Sequence, residues 1–251
     1  MSQFPYTYLE LPEKCRLDKS VFKKLFYENA KLSTTDKKWF TKDINLIKWK
    51  YTLKPESTLI FAVKEKDYHY NEIAVIEVEL EDDEHIKRLS DIIHRAIPYP
   101  LLIVYTGNNW VRFSVAEKRF NKADDQAATI IEYWITDRID EELQNKVDQA
   151  FIEQLSYTRQ PRLNLKVFYK GWIEAFIAYK VSRLTDHFEM LDEQSKKQKR
   201  IKALNEYRVM EEKIEYLRTT LKKEEAFSEK VKLNVDIKQL EKQLKHTAKQ
   251  L

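Results

Sequence analysis

Apolar residues alternate through the middle of the chain and recur at three-and-four spacing on either side, which predicts strands centrally and helices at both ends. Phe22 and Phe26, four apart, predict a helix over residues 20–29. Thr35 suits the N-cap of a second helix carrying Trp39, Phe40 and Ile44. Ile47, Trp49 and Tyr51 then alternate with Lys48, Lys50 and Thr52, the period of a half-buried strand. Residues 59–63 read as a second strand and 73–80 as a third, apolar on one face and turning acidic along the other. The stripe Ile86, Leu89, Ile93, Ile97 predicts a helix over 83–97, stopped by Pro98 and Pro100. Strands are expected at 101–105 and 128–136, with 110–116 as a hairpin partner of the first after the turn Gly107-Asn108-Asn109. The stripe from Leu143 to Leu155 and the apolar run 164–191 then predict two further helices around Pro161. The order implies an α+β body with a mixed, mostly antiparallel sheet flanked by helices.

The last quarter has neither Pro nor Gly and repeats apolar residues in heptads. Tyr207, Met210, Ile214, Leu217 and Leu221 make one seam; Leu233, Ile237, Leu240, Leu244 and Leu251 make another, out of phase with the first. A helical hairpin turning near 225–228 accounts for the break, as does a continuous helix with a stutter; the hairpin is the favoured reading. Each leucine-sized side chain left in water forgoes about 1.5–3 kcal/mol, so the seams demand a cover. The expected organisation is a body over 1–191 and a coiled-coil tail over 192–251.

Composition narrows the class. Of 251 residues 43% are apolar and two are glycine, enough for a core and too few glycines for a phosphate-cradling loop. The first residues lack the basic-then-apolar layout of a secretory signal, no run has the length of a membrane span, and the lone Cys15 has no internal disulfide partner; a cytoplasmic protein is expected. Charge is uneven. From Glu193 onward 16 Lys and Arg face 10 Asp and Glu, while the remainder carries 29 against 31, so a basic tail extends from a slightly acidic body.

Chemistry-bearing motifs are few. The five histidines are scattered, and no nucleophile elbow or closely spaced zinc-ligand set occurs. Glu72, Glu77 and Glu79, on or beside the third strand, resemble part of a Mg²⁺-holding nuclease site, although Glu77-Val78-Glu79 lacks the lysine that a restriction-type core places there. Lys118, Arg119 and Lys122 beside Phe113 and Phe120 form a small basic cluster that can meet nucleic acid. In the tail Phe227, Lys230, Leu233 and Asn234 share a helix face, extended by Ile237 and Leu240, and are expected to bind a partner.

Several stretches together carry a family resemblance: residues 23–55, EIAVIEVEL, HRAIPYPLLIVY, SVAEKRFNKAD and EEAFSEKVKLNVDIKQL. The chain resembles an uncharacterised bacterial family of the domain-of-unknown-function type. The resemblance implies genomic company with type III-like restriction enzymes, DNA methyltransferases and Swi/Snf-type helicases. It implies no catalytic residues. The family's basic pair falls on Lys118 and Arg119, and its F-x-x-K-x-x-L-N on Phe227, Lys230, Leu233 and Asn234. The expected function is a non-catalytic accessory subunit of a DNA-targeting defence assembly. It would need no cofactor and would bind a larger helicase, nuclease or methyltransferase, with self-association through the tail, or DNA contact, as further expectations. The alternatives are a Mg²⁺-dependent nuclease and a direct nucleic-acid binder.

Overall fold

A computed structural model describes residues 4–29, 32–65, 68–121, 124–249 and 251. The chain divides into two compact units, 1–179 and 180–251.

The first unit begins with a short helix α1 (Tyr6–Leu9), an edge strand β1 (Arg16–Ser20) and helices α2 (Lys23–Asn29) and α3 (Thr34–Lys42). Ser33, not Thr35, caps α3. Its hydroxyl accepts from Asp36 N–H while the Asp36 carboxylate accepts from Ser33 N–H, a reciprocal capping box. Strand β2 (Ile44–Leu53) follows, then a single turn α4 (Pro55–Thr58) and a ribbon of β3 (Val63–Lys64) with β4 (His69–Tyr70). The strand expected at 59–63 does not form. Leu59 closes α4 in the left-handed region at φ 60°, which breaks any extended run. The helix expected from residue 20 starts three residues later, so Phe26 is buried and Phe22 is left exposed.

Strand β5 (Ile73–Leu80), helix α5 (Ile86–Ala96), strands β6 (Leu101–Thr106), β7 (Trp110–Asn121), β8 (Asp124–Ile135) and β9 (Ile139–Asp140) complete the sheet. Its order is β1-β2-β5-β6-β7-β8, with β9 on the end of β7. Only β5 and β6 pair in parallel; the other described pairings in this sheet are antiparallel. The expected α+β architecture with a mostly antiparallel sheet is what the chain builds.

Helices α2, α3 and α5 cover one face. Phe26, Phe40, Leu89 and Ile93 pack there on Ala74, Ile76, Val78, Ile103 and Tyr105. Two polar contacts sit inside this layer: Ser90 with Tyr105 at 2.6 Å, and His94 Nε2 with Ser114 Oγ at 2.9 Å. At its rim the Arg88 fork donates to both Asp36 oxygens at 2.8 Å, tying α5 to the α3 cap.

The opposite face carries aromatic residues from α6 (Lys146–Gln154) and α7 (Leu165–Thr185). Phe151 meets Phe113, Phe176 and Tyr179 with ring centroids 4.5–6.0 Å apart. Leu102 of β6 pairs with Val115 of β7, and beyond that pair the Tyr169 hydroxyl enters between the strands. It receives N–H groups from Leu101 (3.3 Å) and Ala116 (3.1 Å) and lies 2.9 and 3.0 Å from their carbonyl oxygens. One side chain therefore accepts from two buried N–H groups and gives its single proton to one of the two carbonyls.

The second unit contains α8 (Gln194–Lys223) and α9 (Phe227–Ala248), which pack on each other. Among the described residues no helix is long and apolar enough to cross a membrane.

Two stability predictions follow from the body. Tyr169→Phe removes the shared hydroxyl and should cost about 1–3 kcal/mol in denaturant unfolding, since backbone groups stay buried without partners. Hydrogen bonds from Arg88 hold the Asp36 carboxyl well below the usual carboxylate range. A depressed carboxyl stabilises at neutral pH, and that contribution disappears as pH falls below about 4. Asp36→Asn should therefore lower stability at pH 7 and flatten the acid limb of the stability profile; an unchanged limb would contradict the assignment.

Candidate functional site on the C-terminal hairpin

The two heptad seams cover each other. Helix α8 stops at Lys223 and α9 starts at Phe227, so the break in phase is a turn and not a stutter. Glu224 shapes it, its carboxylate accepting from the Glu225 and Ala226 amides at 2.9 Å each. Tyr207, Met210, Leu217 and Leu221 are half-buried around the fully buried Ile214; Leu233, Leu240 and Leu244 are half-buried around the fully buried Ile237. Arg218 reaches Glu241 across the pair at 2.7 Å.

This arrangement sorts the residues expected to bind a partner. Leu233, Ile237 and Leu240 belong to the internal seam. Asn234 is exposed and donates through Nδ2 to the Lys230 carbonyl at 2.9 Å, a bond within α9. Lys230 is half-buried. Phe227 alone of the six is a large apolar group on the outside, 81% exposed. Val231 and Val235 continue from it at four-residue steps, and Tyr216 (70% exposed), Val209 and Ile201 stand outward on α8. The sequence held the signal for this outer stripe, a second apolar repeat in α9 offset from the leucines, which the stronger leucine pattern masks.

Two of the three glutamates, Glu72 and Glu77, are engaged in ion pairs. Glu72 precedes β5 and lies 3.0 Å from Lys54 Nζ. Half-buried Glu77 faces Lys50 at 4.0 Å, and that lysine also holds Asp18 at 3.0 Å. Glu79 is exposed at the far end of the strand. With about 3.3 Å of rise per residue, Glu72 and Glu77 are separated by roughly 16 Å along the strand, too far to share one ion. Among the described residues no three His, Cys, Asp or Glu side chains gather as a metal would need.

Lys118 and Arg119 of the expected basic cluster point to opposite faces of β7. Strand alternation turns Lys118 inward, onto the face of Ser114, where it is 7% exposed and donates to the Ile97 and Tyr99 carbonyls at 2.7 and 2.9 Å. It closes the C-terminal end of α5 instead of meeting an anion. Arg119 is exposed on the other face, and Lys122 lies outside the described residues.

With this geometry in view, the comparison with known families is decisive on kinship. The family described as Domain of unknown function (DUF4391) matches residues 9–244, spanning both the sheet and the hairpin. The chain belongs to that family. No curated protein and no solved structure matches it. The DUF4391 match includes α8 and nearly all of α9, so the hairpin is part of what the family shares and not an appendage to it.

Burial depresses the Lys118 amine well below its ordinary value. Between that lowered value and about 10.4 the unfolded chain holds the extra proton, so stability rises with pH across the window. Lys118→Met should flatten this rise between neutral pH and about 9.5 in denaturant titrations. It should not change retention on immobilised duplex DNA relative to wild type; a marked loss of retention would restore the anion-binding reading.

Proposed function

We propose that this DUF4391 chain is a non-catalytic accessory subunit of a bacterial DNA-targeting defence or restriction assembly. The observation that carries the proposal is the outer stripe of the hairpin. Its seams are already satisfied internally, yet Phe227, Val231 and Val235 line up on the opposite side of α9 from the leucines. Contiguous apolar side chains exposed at helical spacing mark a docking face. The body offers a second such patch. Leu59, Phe61 and Leu163 are exposed where the 61–164 backbone bridge brings their segments together.

The partner class comes from the resemblance: a larger helicase, nuclease or methyltransferase of the restriction type. The body and the hairpin would each grip that subunit, with the chemistry residing in the partner and no cofactor held here.

Affinity capture from the native host with the full chain as bait tests the reading. Wild type should recover a large nucleic-acid enzyme, and Val231→Glu with Val235→Glu should lose it at least tenfold while unfolding at the same denaturant midpoint. A bait that recovers no such enzyme, or recovers it equally with the double variant, would overturn the proposal.

A further inference from the structure

We infer that the open end of the hairpin is a groove for an acidic amphipathic helix of the partner, an inference that rests on the docking reading above and gives it a chemistry. Where the start of α8 lies beside the end of α9, a groove of about 1050 Å³ opens along the pair. Ile201, Val209 and Met210 give it an apolar lining; Lys202, Lys242 and His246 stand along it, with Glu206 as its one acidic lining residue. It follows α8 from Gln198 to Met210, about 18 Å or three helical turns, the span a docked helix occupies.

Charge selects the occupant. Residues 194–205 and 242–251 together contain eight Lys and Arg and no Asp or Glu. The remainder of the hairpin, 206–241, contains eight basic against nine acidic residues. Two segments distant in sequence are thus folded into one basic end. Electrostatics within the helix does not explain it. Lysines near the C-terminus of α9 suit the helix dipole, but Lys196, Lys197 and Lys199 crowd the N-terminus of α8, where positive charge is disfavoured and the first turn has no acidic residue. Some of this charge is compensated locally. Arg200 is held by Glu189 and Lys196 by Glu193, while Lys202 has only a 3.9 Å contact with Glu206. Lys199, Lys242, Lys245 and Lys249 are exposed.

A second copy of this chain would set the same net-basic end against itself, so self-pairing there is disfavoured. Nucleic acid would meet the charge but not the apolar lining, and the two basic segments contain no Phe, Tyr or Trp on which a base could stack. An amphipathic helix with a leucine-type face and glutamates along its flanks satisfies both.

The test selects from a displayed library of amphipathic helices of about 16 residues, with flanking positions varied among Glu, Gln and Lys, against the full chain. Glu-rich sequences should be enriched. Their affinity should fall severalfold when salt is raised from about 0.05 to 0.3 M, and Lys202→Glu with Lys242→Glu should shift selection toward Lys. Enrichment without a charge bias, no enrichment, or a selection unchanged by the charge reversal would overturn the inference. So would tight binding of a DNA duplex that the reversal abolishes. Helices selected without charge bias but lost with Val231→Glu and Val235→Glu would leave the docking reading intact while removing this one; native capture insensitive to those valines removes the docking reading itself.

Discussion

Pairing β5 with β6 in parallel obliges the chain to cross over between them, and α5 makes that crossing. The two strands then lie in the interior of the sheet with apolar side chains on both sides, so both faces must be covered. One face is closed by α2, α3 and α5, the other by the aromatic residues of α6 and α7. The polar groups inside are consequences of the same constraint. Tyr169 serves backbone groups where the β6–β7 ladder opens, Lys118 closes the end of α5, and Arg88 ties α5 to the cap of α3. Each occupies a place where burying the sheet would otherwise leave a polar group without a partner.

How much of this the sequence made legible depends on how local the cause was. Strand β5 is read correctly to the residue, because alternation and flanking turns define it without outside help. The helix α5, the turn at Gly107 and the two heptad seams are equally local and are read nearly as well. What escaped were features set by tertiary context. The edge strand β1 is all polar or exposed and has no pattern of its own; it exists because β2 offers it a ladder. Residues 59–63 look like a strand until Leu59 is seen to terminate α4. At the candidate site, Lys118 and Arg119 read as a pair because they are adjacent, yet adjacency in a strand means opposite faces. The leucines chosen as a partner face pack in the seam, and a separate exposed apolar stripe lies on the opposite side of α9.

The hairpin and the sheet bury their apolar surface by different logics. In the body, long-range pairing brings distant segments into one core. In residues 180–251 α8 and α9 pack on each other, with Ile214 and Ile237 buried and the rest of the seam half-buried, while the outside keeps a second apolar line. Charge follows the same division. Sequence order alternates Lys and Glu along most of the hairpin, yet the fold collects the two purely basic segments at one end.

The hairpin is also a ruler. Its seam repeats every seven residues, and an antiparallel pair keeps its register if matching repeats are taken from both helices. Removing one heptad from α8 and the facing heptad from α9 would draw the tip at residues 224–226 inward by about 10 Å without touching the open end. The distance from the open end to the turn is thus set by the number of paired repeats, while the basic segments at the open end stay as they are.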